Sequence, residues 1–535
     1  MRTEQSPWVK LYDVGVPATV EPAHPTVLAA FHDNARTRGD HVLVRCGERA
    51  FTAREVDRIA GQAAAALAAG GFGRGDRLAI YLQSVPEFVF AVIAAWKLGG
   101  VVVTVNPMYR ERELAEVLGD SGAQVLVCEA NESLAATRAV AAKAGVARVI
   151  DCGREGEGGD GWSELLESGE GIQPASPASH PSTADPATFI YTSGTTGPLK
   201  AAVSSHGQVA YSAEVYRAWG KVQPSDTIVA IAPLVHVTGM IGYVALALAS
   251  AATLVLTYRF TPHAFRDAVR SHRGGFTIGP TTAFIALTDA GDVVPGDLRT
   301  LDRPFSGGAP IPAAVVERYR HKFGHGILGI YGLTEATGPT HMVPIGRSAP
   351  VDSGSGTLSV GLPVPGIECD IVGDDGQPMP PLQPGEIVLR GPQLASGYWK
   401  REAETLSTFT SKGLRTGDIG FMDAEGWLYV IDRLKDQINA SGFKVWPREV
   451  EEVLYEHGAV LECAVVGLHD AYRGETVAAY VALRHGEAAT DSELAAFCRE
   501  RMAAYKVPRV IRFLPELPKT ASGKVLRRAL RALPA

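Results

Sequence analysis

The sequence predicts an α/β fold with a largely parallel sheet, because helical and strand-like segments alternate through its first 150 residues. An Ala-rich helical stretch at 54–76 ends in glycines, and the short apolar strand RLAIYL follows at 77–82. The same unit recurs at 86–107 and again at 111–130. Three such units in succession indicate helices packed on a common sheet.

Three later regions differ in texture. Residues 153–186 are rich in Gly, Ser, Pro and Glu and are predicted to be a mobile connection, after which α/β patterning resumes to about residue 340. Between 354 and 430, short strands with close turns predict a small β-barrel or β-rich subdomain. The last stretch, of about 100 residues, again alternates helix and strand and predicts a separate C-terminal domain.

The composition is typical of a soluble globular protein, with 46% hydrophobic and 20% charged residues. A formal charge of −7 gives no reason to expect a nucleic-acid partner. The first ten residues lack the apolar core of a secretory signal. The apolar stretch at 244–256 is shorter than the roughly 18–20 residues of a spanning helix, so no membrane span is expected. Six scattered cysteines without a C-x-x-C pair indicate neither zinc nor disulfides, and we expect a reducing, cytoplasmic location.

The decapeptide YTSGTTGPLK at 191–200 follows an apolar strand and consists largely of Thr, Ser and Gly. Such a loop can turn backbone N–H groups inward to bind an anion, and Lys200 adds a positive charge. It is not a P-loop, because Ala201 follows the lysine and no Ser or Thr is placed for magnesium. Taken alone, the segment fits a solvated strand-to-helix turn at least as well as a phosphate site.

Further short segments follow this loop along the chain. In order, they are APLVHVTG (232–239), SGGAPIP (306–312), YGLTE (331–335), LRTGD (414–418), DRLKDQINASGFKVWPREVEE (432–452) and PKTASGKVLRR (518–528). Together with the loop they resemble the adenylate-forming (ANL) superfamily of acyl- and aryl-CoA synthetases, nonribosomal adenylation domains and beetle luciferases. The resemblance covers nearly the whole chain and is greatest to the fatty acyl-CoA ligases (AMP-forming acyl-CoA synthetases).

The resemblance implies a large N-terminal domain, 1–434, of two α/β subdomains plus a β-barrel. A small mobile α+β domain, 435–535, would follow a hinge near Lys435. It also implies two reactions in one site. A carboxylic acid, expected to be a medium- or long-chain fatty acid, would react with ATP in the presence of Mg²⁺ to give an acyl-adenylate and pyrophosphate. The thiol of coenzyme A then displaces AMP. The alternative is an acyl- or aryl-adenylating enzyme that loads the phosphopantetheine thiol of a carrier protein.

Phosphate and metal roles follow from the same resemblance. Thr334 would bind the α-phosphate and Glu335 would hold Mg²⁺, a hard cation that a carboxylate suits. Outside its motif, Glu335 would be a solvated loop carboxylate. The β- and γ-phosphates would lie in the loop formed by Thr192, Ser193, Gly194, Thr195, Thr196, Gly197 and Lys200. Relatives usually carry Gly-x-Pro-Lys-Gly here, so Pro198 and Ala201 predict a shifted loop geometry.

The nucleoside would be bound by two further motifs. Adenine would lie against Tyr331, which offers a stacking face, and against Gly307, Gly308 and Ala309, which allow a flat ring to approach closely. Asp418 would accept hydrogen bonds from both ribose hydroxyls, with Arg433 close by. In isolation these residues would be ordinary turn, core and surface residues.

The C-terminal segment would act as a lid. Lys524 would reach the α-phosphate and the carboxylate during the first step, with Thr520 and Gly523 shaping its loop; otherwise it would belong to a solvated basic tail. A movement at the hinge residue Lys435 would then withdraw Lys524 and present the segment 439–445 for the thiol step. The residues expected to line the pantetheine tunnel are Gly442 and Phe443. Asn439 replaces a lysine that many relatives carry.

The acid would be bound beside the adenylate. His236 would stand at the mouth of the acyl tunnel, although a lone histidine after an apolar run is often a core residue. The remaining acyl-pocket residues are Gly279, Thr281, Gly308, Ala336 and Thr337, whose small size is expected to leave room for an extended chain. The absence of Asp near His236 argues against amino acids, and IYGLTE has no Trp to restrict the pocket to acetate. Aryl acids and a homodimer stay open.

Overall fold

The computed structural model describes residues 6–153, 160–172, 181–192, 199–309, 311–354, 356–433, 436–440, 443–470, 474–520 and 523–533. The α-helices are α1 (Val27–Thr37), α2 (Ala53–Ala69), α3 (Pro86–Lys97), α4 (Glu111–Ser121), α5 (Leu134–Lys143), α6 (Asp160–Gly169), α7 (His206–Trp219), α8 (Val237–Gly239), α9 (Leu246–Ser250), α10 (Pro262–His272), α11 (Thr281–Asp289), α12 (Ala313–Phe323), α13 (Glu402–Thr408), α14 (Pro447–Glu456), α15 (Asp491–Arg499) and α16 (Arg527–Arg531).

The strands are β1 (Val42–Cys46), β2 (Arg49–Thr52), β3 (Arg77–Tyr81), β4 (Val101–Thr104), β5 (Val125–Glu129), β6 (Arg148–Cys152), β7 (Pro186–Thr192), β8 (Lys200–Ser205), β9 (Thr227–Val229), β10 (Thr253–Leu256), β11 (Phe276–Pro280), β12 (Arg303–Gly307), β13 (Leu328–Leu333), β14 (Gly338–Met342), β15 (Leu362–Pro363), β16 (Glu368–Val372), β17 (Gly385–Arg390), β18 (Phe409–Thr410), β19 (Gly413–Met422), β20 (Leu428–Arg433), β21 (Ile438–Ala440), β22 (Phe443–Val445), β23 (Val460–Asp470), β24 (Gly474–Leu483) and β25 (Val510–Phe513). Short turns of 3-10 helix occur at Pro7–Leu11, Pro295–Leu298 and Thr334–Ala336, and Met240–Ala245 is a π-helical turn.

The first sheet has the strand order β6-β5-β3-β4-β7-β8, and all its neighbours are parallel except β7 and β8. The alternation predicted for the first 150 residues is therefore confirmed. Local signals set the helix ends. Thr52 and Glu55 exchange hydrogen bonds as a capping box at the start of α2. Gly122 ends α4 at a φ of 64°, a left-handed conformation that glycine adopts easily.

The prediction of a mobile connection at 153–186 is wrong for part of that segment. Its middle folds as α6, which packs on α2 and buries Trp162 and Leu165. Gly169 lies so close to Gln62 that an added Cβ would fall 2.0 Å from the carbonyl oxygen. Trp162 and Leu165 lie three residues apart and so share one helix face, but the Gly- and Ser-rich sequence around them outweighed this signal. Residues 154–159 and 173–180 lie outside the described part of the chain.

The second sheet has the order β15-β14-β13-β12-β11-β9-β10-β1-β2. Its central pairings, from β13 to β1, are parallel, and antiparallel strands lie at both ends. Because β11, β12 and β13 are parallel neighbours, the segments that follow them emerge at the same edge of the sheet. Ligands bind at such edges in open α/β sheets.

α3 packs against β3 and β4 of the first sheet and β1 of the second. It is buried from Pro86 through Trp96 and is apolar around most of its circumference, as a helix enclosed by protein must be. Its one charged residue in this stretch, Glu87, forms an ion pair of 2.7 Å with Arg49. The core of the N-terminal region is thus shared by the two sheets and the helices between them.

The β-rich region is antiparallel. Its strands follow the order β16-β17-β19-β18, with β20 paired to β19, which confirms the prediction of a β-rich subdomain in this part of the chain. The register of β19 and β20 places Asp418 directly opposite Arg433.

The C-terminal region forms a sheet of order β22-β21-β24-β23, with β25 parallel to β24. Its helix α14 packs on β23 and on α12 of the N-terminal region. Arg448 is buried in this contact, where its Nη2 donates a hydrogen bond of 2.9 Å to the carbonyl of Ile311 and also pairs with Glu452. Burial raises the pKa of Glu452 to about 7, even though Arg448 works to lower it.

Two features of the described chain concern its environment. Each of the six cysteines is a buried thiol rather than half of a disulfide. Within the described ranges, the helices are too short or too polar for any of them to cross a membrane.

Candidate active site

The residues predicted for adenine lie in or directly after β12 and β13. An added Cβ on Gly307 would fall 2.5 Å from the carbonyl oxygen of Ile330, so glycine is needed for the two strands to approach. Gly308 has a φ of 81° and open space around its Cα. Ala309 lines a small cavity together with Ser306, Ile330 and neighbouring residues of the second sheet. Gly307, Gly308 and Ala309 thus lie together at the end of β12, beside β13.

The residues predicted for the ribose form a connected set. The Tyr331 hydroxyl donates a hydrogen bond of 2.7 Å to Asp418 Oδ2, and Arg433 Nε lies 3.2 Å from Asp418 Oδ1. Burial, followed by the negative charge of Asp418, raises the pKa of Tyr331 well above its ordinary value. The phenol therefore stays protonated and acts as the donor. This fixed carboxylate can accept hydrogen bonds from a vicinal diol.

The phosphate and metal segment begins immediately after β13. Thr334 and Glu335 lie in the 3-10 turn, and the turn ends at Thr337, which adopts a left-handed φ of 56°. That conformation is strained for a β-branched residue. It is held by Ser204, whose hydroxyl lies 2.8 Å from Thr337 Oγ1, and by Ser212, which donates 2.8 Å to the Thr337 carbonyl.

The predicted phosphate loop spans the turn between β7 and β8. Thr192 and Lys200 are paired at the two ends of that hairpin, where the Thr192 hydroxyl donates 3.4 Å to the Lys200 carbonyl. Lys200 Nζ lies 3.9 Å from Glu404 Oε1 and 5.4 Å from the centre of the Tyr398 ring. The loop residues themselves lie outside the described part of the chain, as does the predicted effect of Pro198: Ser193, Gly194, Thr195, Thr196 and Gly197.

Glu335 suits a magnesium ion by its chemistry. The Tyr398 hydroxyl donates 2.7 Å to its Oε1, and within the described ranges nothing donates to Oε2. No group of three or more acidic, His or Cys side chains able to hold a metal occurs among the residues that the structure describes. Mg²⁺ in phosphate-transfer sites is usually held by one or two carboxylates, the substrate phosphates and water, so a single carboxylate fits.

Lys524 lies in a tight loop of the C-terminal region. Its backbone N–H donates 3.1 Å to Thr520 Oγ1, and Thr520 N donates 2.7 Å to its carbonyl. Gly523, with a φ of 78°, touches the N-terminal region: Thr282 Oγ1 donates 3.1 Å to its carbonyl. The Lys524 side chain remains exposed to water. Surrounding protein atoms partly desolvate its ammonium, and this desolvation, followed by the charge of Arg433, lowers its pKa to about 8.

The residues predicted for the acyl pocket lie in or after β9, β11 and β13. His236 is the N-cap of α8; burial lowers its pKa to about 4, and its Nε2 has no hydrogen-bond partner in the described structure. The imidazole is therefore neutral near pH 7. Thr281 lies 3.3 Å, hydroxyl to hydroxyl, from Ser306, and Ala336 is fully buried.

The space expected beside Gly279 is not open. An added Cβ there would fall 2.5 Å from Ile231 Cγ2 and 3.5 Å from the Phe284 ring. Glycine at this position accommodates neighbouring side chains, so its small size does not by itself create a tunnel. The expectation that the small size of Gly279 leaves room for an extended acyl chain is therefore wrong. The sequence shows that a side chain is absent, but not whether a neighbouring side chain fills the space.

The residues predicted for the hinge and the thiol step are described only in part. Lys435 and Gly442 lie outside the described residues, and Phe443 begins β22. Asn439 lies in β21, where its backbone N–H donates a hydrogen bond of 2.7 Å to Glu475 Oε2. These roles stay predictions.

Two contacts of residues in the predicted site were missed from the sequence. Tyr398 lies outside the motifs quoted above, yet it holds Glu335. Arg527, taken as part of a basic tail, forms ion pairs of 2.8 Å with Asp432 and with Glu451 and joins the Lys524 segment to β20 and α14. The sequence signal for the Arg527 contact was weak: an arginine three residues after Lys524, and acidic residues at 432–452 that could pair with it.

The chain is similar to known enzymes over nearly its whole length. A family model described as "AMP-binding enzyme" matches residues 31–399, and one described as "AMP-binding enzyme C-terminal domain" matches residues 449–524. The chain is 30% identical over 567 aligned positions to a long-chain-fatty-acid–CoA ligase of Bacillus subtilis (strain 168), with 98% of each chain covered. It is 34% identical over 517 positions to the 3-[(3aS,4S,7aS)-7a-methyl-1,5-dioxo-octahydro-1H-inden-4-yl]propanoyl:CoA ligase of Mycobacterium tuberculosis, covering 95% of this chain and 99% of that relative.

The fold is similar to that of a crystal structure of the anthranilate CoA ligase AuaEII in complex with anthranoyl-AMP. The TM-score is 0.87 at 26% sequence identity, and the match covers 97% of this chain and 98% of that one.

Proposed function

The chain belongs to the AMP-binding enzyme family and is an acid–thiol ligase of the acyl-CoA synthetase kind, and from this premise we propose that its acid is a medium- or long-chain fatty acid. ATP and coenzyme A are the other substrates. We further propose that Mg²⁺ accompanies ATP and that Glu335 holds it, where the ion would neutralise phosphate charge.

The first step must bring two negatively charged groups together, a carboxylate and the α-phosphate. Charge neutralisation and alignment therefore supply most of the catalysis. The observation that carries the proposal is the contact between the Lys524 loop and the N-terminal region, where Thr282 Oγ1 donates 3.1 Å to the Gly523 carbonyl. Asp418 fixes the ribose, Thr334 donates to the α-phosphate, and Lys524 stabilises charge that develops between phosphate and carboxylate.

The second step needs a different arrangement, because a thiol must reach the activated carbonyl. We propose that residues 1–434 stay in place and that 435–535 rotate about Lys435, which withdraws Lys524 and brings Gly442 and Phe443 to the pantetheine path. The Thr282–Gly523 hydrogen bond would break in that movement. One cleft would then serve both steps without holding both sets of groups at once.

The fatty acid is supported by the Bacillus subtilis relative and by the sequence motifs. An aryl acid is the second candidate. The structural match to an anthranilate CoA ligase supports it, and so does the packing of Ile231 against Gly279, which leaves no extended channel beside that residue. The phosphopantetheine thiol of a carrier protein is the alternative acceptor. We also propose a cytoplasmic location, because the six cysteines of the chain are free thiols.

The test is pyrophosphate release from Mg²⁺·ATP with a panel of acids, from acetate to palmitate and including benzoate, anthranilate and ferulate. Each acid is offered with coenzyme A or with holo acyl-carrier protein as the thiol. We expect acid-dependent release that is fastest with medium or long chains, and acyl-CoA as the product. Faster release with aromatic acids would overturn the fatty-acid proposal, and acylated carrier protein without acyl-CoA would support the alternative. Light scattering of the same sample tests for a homodimer.

A further inference from the structure

Glu335 is held by a segment that belongs to none of the motifs quoted above. The Tyr398 hydroxyl donates 2.7 Å to Glu335 Oε1, and the backbone N–H of Ala395 donates 2.8 Å to the Glu335 carbonyl. The same short stretch therefore fixes both the backbone and the carboxylate of the residue expected to hold Mg²⁺. The two partners are 63 residues apart in the chain.

The stretch is itself fixed along β8. Ser396 N donates 2.8 Å to the Val203 carbonyl, and Val203 N donates 2.9 Å to the Gly397 carbonyl. Trp399 N adds a bond of 2.9 Å to the Ala201 carbonyl. Tyr398 thus projects from a backbone that is bonded on both sides, so its hydroxyl has a defined position.

Tyr398 also contacts the lysine that closes the phosphate loop. Lys200 Nζ lies 5.4 Å from the centre of its ring, a distance at which a cation is attracted to the aromatic face. Glu404, 3.9 Å from the same Nζ, is the nearby counter-charge. One tyrosine therefore touches the predicted metal ligand through its hydroxyl and the predicted phosphate ligand through its ring.

The direction of the hydroxyl bond is settled by charge. An ionised carboxylate only accepts hydrogen bonds, so the Tyr398 phenol donates and Glu335 Oε1 accepts. With Oε1 engaged, Oε2 is the oxygen without a hydrogen-bond donor in the described structure. A carboxylate restrained in this way offers one oxygen in a fixed direction.

We propose that Tyr398 is a positioning residue for the metal–nucleotide site: its hydroxyl orients Glu335 toward Mg²⁺, and its ring supports Lys200 beside the phosphates. The inference rests on the proposed function, since it takes Glu335 as the magnesium ligand. It assigns a role to Tyr398 beyond that function. Tyr398 touches neither metal nor nucleotide and acts only through these two side chains.

The test measures ATP binding by calorimetry on the whole chain, with Mg²⁺ and again with the metal chelated. Tyr398→Phe removes only the hydroxyl, and we expect it to weaken Mg²⁺·ATP binding roughly tenfold, the loss of one hydrogen bond to a charged group. Binding of metal-free ATP should change less than about twofold, because the ring that supports Lys200 remains. Tyr398→Leu removes the ring too, and should weaken binding of metal-free ATP as well.

Tyr429→Phe is the matched control. The Tyr429 hydroxyl also donates to a carboxylate in the β-rich region, Asp423, at 3.3 Å, and Asp423 has no role in the proposed metal–nucleotide site. We expect this variant to bind ATP like the wild type under both conditions. An equal loss in Tyr429→Phe and Tyr398→Phe would attribute the effect to the fold of the region and overturn the proposal.

A double-mutant cycle with Glu335→Gln tests whether Tyr398 acts through Glu335. In the Glu335→Gln background, we expect Tyr398→Phe to cause little further loss of Mg²⁺·ATP affinity. The same tenfold loss in both backgrounds would overturn the proposal. Failure of the proposed function is a separate result: Mg²⁺·ATP would bind, and respond to Tyr398→Phe, while no acid on the panel released pyrophosphate.

Discussion

The side-chain hydroxyl of Thr282 donates a hydrogen bond of 3.1 Å to the carbonyl of Gly523, and so joins the first turn of α11 to the loop that carries Lys524. An added Cβ on Gly523 would fall 2.7 Å from that hydroxyl, which shows how closely the two segments approach. The contact connects the wall of the predicted acyl pocket to the residue predicted to act on the α-phosphate.

Thr282→Val should slow adenylation while leaving the thiol step intact. The substitution keeps the shape of the side chain and removes the donor, which is worth about 0.5–1.5 kcal/mol, or roughly two- to tenfold in rate. Acid-dependent exchange of labelled pyrophosphate into ATP measures the first step, and transfer from synthetic acyl-adenylate to coenzyme A measures the second. Thr288→Val is the control, because Thr288 donates 2.7 Å within α11 to the carbonyl of Phe284. Equal slowing in both variants would contradict a role for the lid contact.

Lys524→Ala should lower pyrophosphate exchange by about a hundredfold or more, as the loss of a group that stabilises developing charge does. Lys412→Ala, which removes an exposed lysine bonded to the Gly376 carbonyl, should have no effect. Exchange undiminished in Lys524→Ala would contradict the role given to this lysine.

Adenylation should decline as pH rises through about 8. The pKa of Lys524 is lowered from the ordinary lysine value to about 8, so the ammonium is present below that pH and is lost above it. The descending limb of a pH profile of pyrophosphate exchange, recorded from about pH 6.5 to about pH 10, should therefore fall near 8. Lys524→Arg keeps its charge over this range and should lack that limb, although with lower exchange overall. An identical limb in both proteins would assign it to another group.

Asp418→Asn should weaken ATP binding by about tenfold to a hundredfold. The substitution removes the charge that pairs with Arg433 and exchanges a carboxylate oxygen for an amide that cannot accept from both ribose hydroxyls. Tyr331→Phe, which removes only the 2.7 Å bond to Asp418, should have a smaller effect. Calorimetry with ATP and with 2′-deoxy-ATP measures both, and the preference for the ribose form should disappear in Asp418→Asn. A preference that survives would place the ribose elsewhere.

Ile231→Ala should extend the range of acids toward longer or bulkier members. It removes the Cγ2 that fills the space beside Gly279, at a cost of about 2–5 kcal/mol in the free energy of unfolding. Gly279→Ala should be nearly inactive alone, since its Cβ would meet Ile231, and should regain activity when combined with Ile231→Ala. Acid-dependent pyrophosphate release over the same panel measures the three proteins. No recovery in the double variant would show that Gly279 is required for another reason.

The sequence predicted those parts of the site that short motifs specify. Asp418 and Arg433 were expected to be neighbours, and the register of β19 and β20 puts them opposite each other. Tyr398 could not be predicted, because its contact with Glu335 depends on a distant segment pairing with β8. Backbone pairing between segments nearly two hundred residues apart leaves no local pattern in either of them.

The left-handed Thr337 is a second case. Its φ of 56° is unfavourable for threonine, and sequence propensity alone would assign another conformation. Bonds to Ser204 and Ser212 outweigh that preference, and both come from β8 and α7 rather than from the turn itself. Gly279 is a third case. The sequence shows a glycine there, but only the packing of Ile231 shows that the space beside it is filled.

The buried cysteines have a consequence for an enzyme that generates a reactive acyl-adenylate and passes it to a thiol. Burial raises the pKa of Cys128 to about 12 and that of Cys498 to about 11, and it raises the pKa of Cys152, Cys369 and Cys463 well above the ordinary thiol value. The thiolate is the form that attacks an acyl group, and burial suppresses both its formation and its access. The cysteines of the protein therefore do not compete with the incoming acceptor thiol. Their burial disfavours acyl transfer from the adenylate to the enzyme itself, a side reaction that would gradually inactivate it.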